Sequence, residues 1–94
     1  MVKSIIQDDT EYCIICGRYG TEIHHVFFGT ANRSLSDKYG LIVGLCPYHH
    51  RSSKGVHGGN RELDLRLKRM AQERFTEVYK DLDYMAIFGK SYLL

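Results

Sequence analysis

The chain has 94 residues, of which 44% are hydrophobic and 26% are charged, and its formal net charge is +2. This composition is typical of one ordinary globular domain and excludes a disordered or fibrous chain. A net charge this small does not by itself indicate a nucleic-acid partner. The sequence shows neither the pattern of a signal peptide nor a run of about eighteen apolar residues, so we expect a cytoplasmic protein with no membrane partner.

A chain of this length has a marginal core by surface-to-volume scaling, so a bound metal would add needed cohesion. Its three cysteines cannot all pair with one another, and a reducing compartment would keep them as thiols, which favours metal ligation over disulfides. With the five histidines they make eight ligands between residues 13 and 57. Because a tetrahedral ion takes four, the sequence predicts a closed structural site and a second, open, reactive site.

The first half of the chain predicts a zinc knuckle, a strand and a loop. Residues 1–12 are expected to be a polar lead-in with at most a short strand. The segment Cys13-Ile14-Ile15-Cys16-Gly17 has the form of a zinc knuckle, in which glycine permits the tight turn that directs two sulfurs at one ion. Residues 21–28 are rich in β-branched and aromatic types and predict a strand. The stretch 29–40 lacks a sustained period and predicts a loop with room for one helical turn.

The second half predicts one more strand and three helices. Residues 41–45 are a short apolar run that suits a strand, and proline at the start of 47–50 fits the first turn of a helix. Asn60 is a good N-cap for a long helix, and Asp83 can cap a last short helix that Gly89 ends. The apolar stripe of the long helix consists of Leu63, Leu67, Met70, Ala71, Phe75, Val78 and Tyr79.

The predicted closed site consists of two pairs of ligands that have the same spacing. Cys13 and Cys16 supply half of a tetrahedral shell, and the pair Cys46-x-x-His49 supplies the other half, which gives a Cys₃His set suited to structural zinc. Neighbours on a helix point about 100° apart, so His49 and His50 serve two different ions. Spacing favours His49 for the closed site, although the two histidines could exchange roles. Three buried cysteines with a packing role are the alternative.

Two adjacent histidine pairs form the predicted reactive site. His24 and His25 lie on the first strand, where side chains alternate between faces, so one can bind metal while the other acts as a base. A lone histidine is more often structural, but two pairs on a strand and a following helix favour a functional site. His57 lies shortly after His50 and either completes the metal shell or is a plain turn histidine.

Basic charge is concentrated beside these histidines. Residues 1–22 hold two basic against four acidic side chains, a sum of −2, whereas residues 51–74 hold seven against three, a sum of +4. A polyanion could dock on the second stretch, and a solvated helix face is the alternative. The residues expected to hold backbone phosphates are Arg33, Lys38, Arg51 and Lys54.

These residues resemble those of the HNH endonucleases, whose ββα-metal fold carries a histidine base on a strand and metal ligands on that strand and on the helix. The resemblance covers residues 13 to about 57. The chain resembles the small bacteriophage-type members of this family more closely still, including those similar to recombination-enhancement nucleases. That narrower resemblance rests on His-His-Val-Phe-Phe-Gly-Thr-Ala at 24–31, Lys-Tyr-Gly-Leu at 38–41, Leu-Cys-Pro-Tyr-His-His at 45–50, Gly-Val-His at 55–57, Ala-Gln-Glu-Arg-Phe at 71–75 and Phe-Gly-Lys-Ser-Tyr-Leu at 88–93.

The resemblance implies a small zinc-stapled ββα-metal domain of the α+β class with C-terminal packing helices. Residues 1–94 would be one nuclease-like domain, with the zinc and ββα core at about 13–57 and a helical part at about 60–94. Its function would be metal-dependent hydrolysis of DNA phosphodiester bonds with low sequence specificity.

Carried over by position, the resemblance implies that His24 and His50 bind the catalytic metal, with His57 as a further candidate, and that His25 is the general base. The chain departs from the family where an asparagine is expected shortly before the third zinc ligand, because Leu-Ile-Val stands at 41–43. Asn32 is the nearest asparagine that could orient the base, but its position is not the family's.

The implied cofactors are structural Zn²⁺ and a catalytic divalent ion, either Mg²⁺, Mn²⁺, Ni²⁺ or Zn²⁺. Imidazole ligands favour zinc, nickel, cobalt or manganese over magnesium, which prefers oxygen ligands. The expected partner is DNA, with a second copy of the chain or a recombination protein as further partners. The alternative function is a non-catalytic, zinc-binding nucleic-acid-binding module, and a more remote one is a zinc-stabilised protein-interaction domain.

Overall fold

A two-stranded antiparallel sheet organises the fold, which a computed structural model describes for residues 3–93. Strand β1 spans Glu22–His25 and strand β2 spans Ile42–Leu45, so both predicted strands are present, the first of them shorter than expected. The radius of gyration is 12.6 Å, as expected for a compact domain of this length. The α+β class predicted from the sequence is confirmed.

Helices supply the rest of the regular structure in residues 3–93. They are α1 at Asn32–Tyr39, α2 at Pro47–Arg51, a 3₁₀ turn at Val56–Gly58, α3 at Arg61–Val78 and α4 at Tyr84–Phe88. The predicted caps are confirmed, because Asn60 accepts a hydrogen bond from the Leu63 N–H and Asp83 accepts from the N–H groups of Met85 and Ala86. Within this part of the chain, no helix combines the length and apolar character that a membrane span requires.

Helix α1 corrects the prediction of a loop at residues 29–40. It has no side-chain N-cap, so local sequence signals do little to define its start. Tertiary contacts hold it instead: the buried Ser36 hydroxyl donates to the Phe27 carbonyl at 2.7 Å and accepts from the Phe27 N–H at 3.0 Å. Gly40 ends the helix in the left-handed conformation. A short helix stabilised in this way leaves no clear period in the sequence.

The N-terminal segment, described from residue 3 to residue 12, forms no strand in that range but covers the outer edge of β2. The Ser4 hydroxyl donates to the Ile42 carbonyl at 2.5 Å. The Gly44 N–H donates to the side-chain oxygen of Gln7 at 2.8 Å, and the Ile14 N–H donates to the Gly44 carbonyl at 3.0 Å. These bonds satisfy backbone groups that antiparallel pairing with β1 leaves free, and they fix the knuckle against the end of β2.

Gly44 lies where the N-terminal segment approaches β2 most closely, because a Cβ placed there would overlap the backbone carbonyl of Thr10. We therefore expect Gly44→Ala to lower the free energy of unfolding by about 3 kcal/mol, measured by urea unfolding of the zinc-loaded protein. A Cβ at Gly59 meets open space at a φ of 99°, so Gly59→Ala should cost only backbone strain, about 1 kcal/mol. Equal losses for the two variants would contradict the close approach.

The core lies between the sheet, α3 and the C-terminal aromatic residues. Four residues of the predicted α3 stripe are buried, namely Leu63, Leu67, Ala71 and Phe75. Val78 is exposed, whereas Lys68 and Gln72 are buried, which the apolar pattern did not predict. The Gln72 amide donates to Ser91 at 3.0 Å and accepts from the Tyr92 N–H at 2.7 Å. This buried polar side chain therefore ties the C-terminal segment to α3.

Candidate metal sites

Cys13, Cys16, Cys46 and His49 form one compact set, which we call the Cys₃His set. Their ligand atoms all lie within 4.8 Å of one another. The Cys16 and Cys46 sulfurs are 3.7 Å apart, and the His49 Nδ1 lies 3.3 Å from Cys46 and 3.7 Å from Cys13. A tetrahedron with Zn–S bonds of about 2.3 Å has edges of about 3.8 Å. The set can therefore hold a metal such as zinc.

Strand β2 brings the two ligand pairs of the Cys₃His set together. On one side, the Gly17 N–H closes the knuckle on the Cys13 carbonyl at 2.8 Å, with Gly17 at a φ of 77°. The Ile14 bond to β2 described above places that knuckle beside the end of the strand. On the other side, Cys46 directly follows β2 and His49 lies in the first turn of α2. Local spacing and one strand thus determine the whole set.

Burial and neighbouring groups shift the pKa values of two thiols of the Cys₃His set. Burial acts to raise the pKa of Cys13, but backbone N–H groups of Cys46, Cys16 and Ile15 outweigh it and lower that pKa to about 6. The backbone N–H of Arg18 lowers the pKa of Cys16, but burial and the neighbouring sulfurs outweigh it and leave that pKa raised. A divalent cation would stabilise the thiolate form of the cysteines, which is the form that binds zinc.

His24, His50 and His57 form a second set, the three-histidine cluster. Ring centroids are 5.2 Å apart for His24 and His50, 5.1 Å for His24 and His57, and 4.8 Å for His50 and His57. One ligand nitrogen from each lies within 4.8 Å of the others. The rings come from β1, α2 and the 3₁₀ turn respectively. The structure thus brings together the three histidines that the sequence analysis assigned to the second metal.

The buried nitrogen of His24 is an observation that fits a metal ion in the three-histidine cluster. His24 is 2% exposed, and its Nε2 has no hydrogen-bond partner among residues 3–93. An unpartnered buried polar atom costs about 1–3 kcal/mol, and a coordinated metal would supply the missing partner. Burial, together with the charges of His50 and His57, lowers the pKa of His24 to about 3. At neutral pH this ring is therefore in the unprotonated form that metals require.

Glu22 orients His50, a role that the sequence analysis missed. The His50 Nδ1 lies 2.8 Å from a Glu22 carboxylate oxygen, and the Arg51 Nε lies 2.9 Å from the other oxygen. The bond to His50, assisted by Arg51, lowers the pKa of Glu22. A carboxylate on Nδ1–H leaves Nε2 free to face the cluster. The signal was present, because Glu22 is two residues before His24 and so shares its strand face.

One open cleft of about 520 Å³, which we call the cluster cleft, is bordered by His24, His25, His50 and His57. His25 lies on the opposite strand face from His24, yet its ring still lines this space. Its Nε2 lies 3.5 Å from a carboxylate oxygen of Asp37 in α1. Asn32, the asparagine considered from sequence, begins α1 with an exposed side chain. Asp37 was missed because α1 itself was not predicted.

The four predicted phosphate-binding residues have different positions. Arg33 lines the cluster cleft. Arg51 does not, because its guanidinium is bound to the carboxylate of Glu22. Lys38 and Lys54 are exposed and are not part of the cleft lining. The cleft itself therefore offers one arginine to an anion.

Comparison with protein-family models, with curated proteins and with solved structures finds no match to this chain. A functional assignment must therefore come from the chemistry of the two sites. The Cys₃His set uses four protein ligands, which is the composition of a closed structural zinc site. The three-histidine cluster supplies three ligands beside an open cleft, which is the composition of a site that keeps positions for water or substrate.

Proposed function

We propose that the protein is a metal-dependent endonuclease of the HNH type that hydrolyses DNA phosphodiester bonds. The observation that carries this proposal is the three-histidine cluster, which faces a cleft that His25 also borders. The order of β1, β2 and α2, with histidines on β1 and α2, supports it because the ββα-metal resemblance implies the same order. The adjacent Cys₃His set would be a structural zinc site that stabilises the fold.

In the proposed reaction, His25 takes a proton from the attacking water. A phosphodiester repels anionic nucleophiles, so a neutral base suits its hydrolysis, and histidine works as such a base near neutral pH. His24, His50 and His57 would hold a divalent ion, which supplies stabilisation for the charge that develops on the phosphate and on the departing 3′-oxygen. Arg33 would bind a non-bridging phosphate oxygen at the cleft edge.

Binding of the substrate would depend mainly on its backbone. Arg33 lines the cleft, and the exposed Lys38 and Lys54 would add longer-range attraction for phosphates. Contacts of this kind position a nucleic acid without identifying bases, so low sequence specificity is the expected result. A cytoplasmic location, and a second copy or a recombination protein as partner, stay predictions.

The ligand chemistry predicts which ions support activity. The three-histidine cluster consists of imidazoles, so nickel, cobalt, manganese or zinc should support plasmid nicking at lower concentrations than magnesium does. His57→Ala should raise the nickel concentration needed for half-maximal nicking by at least about tenfold, and excess nickel should restore the rate. Nicking rates of zinc-loaded protein over a metal titration measure both effects. An unchanged nickel requirement in His57→Ala would remove that residue from the site.

A non-catalytic zinc-binding module for nucleic acid is the second candidate, favoured by the complete Cys₃His set. That function accounts for the cysteines but leaves the buried Nε2 of His24 without a partner. It predicts DNA binding with no strand cleavage at any metal concentration. Plasmid that stays intact with manganese, nickel or magnesium, for both the natural chain and His25→Ala, would establish this second candidate over the nuclease.

A further inference from the structure

Asp37 is the acidic residue that faces the ring of His25. Its Oδ1 lies 3.5 Å from the His25 Nε2, and within residues 3–93 no other acidic residue pairs with a ring nitrogen of His25 within 4.0 Å. The side chain of Asp37 is 62% exposed and that of His25 is 19% exposed. An ion pair this open to water adds little to stability. Its effect would therefore be on the orientation and proton position of the histidine.

The ring of His25 stands between two clefts. One is the cluster cleft, and the other is a second cleft of about 390 Å³ that Asp37 and Ser34 help to line. Ile23, His25 and Arg33 border both. Because Nε2 is the ring nitrogen that lies 3.5 Å from Asp37, Nδ1 would be the nitrogen left for a water in the cluster cleft.

The position of Asp37 is fixed by the fold rather than by a free loop. Its neighbour Ser36 is fully buried and exchanges two hydrogen bonds with the backbone of Phe27, two residues beyond His25. The Leu41 N–H donates to the Ser36 carbonyl at 2.8 Å, which anchors the end of α1 to the start of β2. Helix α1 is thus attached to the segment just after β1, and its end is bonded to the residue just before β2.

On the basis of the proposed function, we infer that Asp37 is a positioning residue for His25. Its carboxylate accepts the Nε2–H of the neutral imidazole, so that Nδ1 carries the lone pair. In the reaction, Nδ1 takes a proton from water while Nε2 keeps its own, and the carboxylate stabilises the resulting imidazolium without itself gaining a proton. A separation of 3.5 Å is longer than an ordinary hydrogen bond, and catalytic hydrogen bonds often tighten when substrate binds.

The first test detects the tautomer and needs no nuclease activity. Long-range ¹H–¹⁵N spectra of the zinc-loaded protein, recorded at mildly alkaline pH, report which nitrogen of each imidazole carries the proton. We expect the Nε2–H form of His25 in the natural chain, a mixture with Nδ1–H in Asp37→Ala, and recovery of Nε2–H in Asp37→Glu. The same tautomer ratio in all three proteins would overturn the inference. If Asp37→Ala fails to fold, Asp37→Leu, which is close in size and cannot accept a hydrogen bond, replaces it.

The second test separates turnover from binding. Asp37→Ala should lower kcat for DNA cleavage about ten- to hundredfold with KM changed less than twofold, and Asp37→Glu should recover much of the loss. Glu73→Ala, which removes an exposed carboxylate of α3, is the matched control and should behave as the natural chain does. Equal kcat for Asp37→Ala and the control would refute the positioning role. A natural chain with the Asp37-dependent tautomer but no cleavage would refute the nuclease and leave the positioning role intact.

Discussion

Cys13→Ser should abolish cooperative folding of this domain. Cys13 is 3% exposed and belongs to a Cys₃His set that joins the N-terminal segment to the end of β2. In small zinc domains the binding free energy of the ion, about 10–16 kcal/mol, is also folding free energy, and it matches or exceeds the net stability of about 5–15 kcal/mol typical of a domain. Serine preserves the side-chain volume but is a poor zinc ligand, so the change tests ligation rather than packing.

Zinc content and thermal unfolding followed by circular dichroism measure this result. Cys13→Ser protein should contain less than one equivalent of zinc and show no cooperative transition, and chelation of the natural chain should have the same effect. His25→Ala is the control, because His25 lies outside the Cys₃His set and should keep both the zinc and the transition. A Cys13→Ser protein with an unchanged melting temperature would show that the set is not a staple.

His25→Ala should lower the rate of DNA cleavage by about 10²–10⁴-fold, the range that a positioned general base contributes. The variant leaves the three-histidine cluster and the Cys₃His set intact, so metal content and melting temperature should not change. Initial rates of plasmid nicking at saturating nickel measure the loss. His57→Ala provides the contrast, because its defect should disappear in excess metal while that of His25→Ala should persist. Equal rates for His25→Ala and the natural chain would exclude His25 as the base.

Short spacings made the Cys₃His set predictable from sequence. In each ligand pair two residues separate the ligands, and the second pair directly follows a strand. Few arrangements of the chain are therefore compatible with the pattern. The separation in space of the two members of each histidine pair was also predictable. Alternation along a strand separates His24 from His25, and the angle of about 100° between helix neighbours separates His49 from His50. The structure places these residues in the groups that this geometry implies.

Contacts between distant segments explain what the sequence did not predict. Glu22 and His50 are 28 residues apart, and their bond exists because α2 packs beside β1. Helix α1 has no N-cap signal and depends on the Ser36 bonds to Phe27, so neither the helix nor its Asp37 could be recognised from local pattern. Tertiary context also decided the position of His57, which reaches the cluster through the 3₁₀ turn.

We propose that the three-histidine cluster binds a second metal ion, and counting ions per chain by native mass spectrometry during a nickel titration of zinc-loaded protein measures this binding. We expect two ions per chain, one in the Cys₃His set and one that His50→Ala and His57→Ala each weaken or remove. A chain that never takes up more than one ion, or a second ion held equally well by both variants, would contradict the claim.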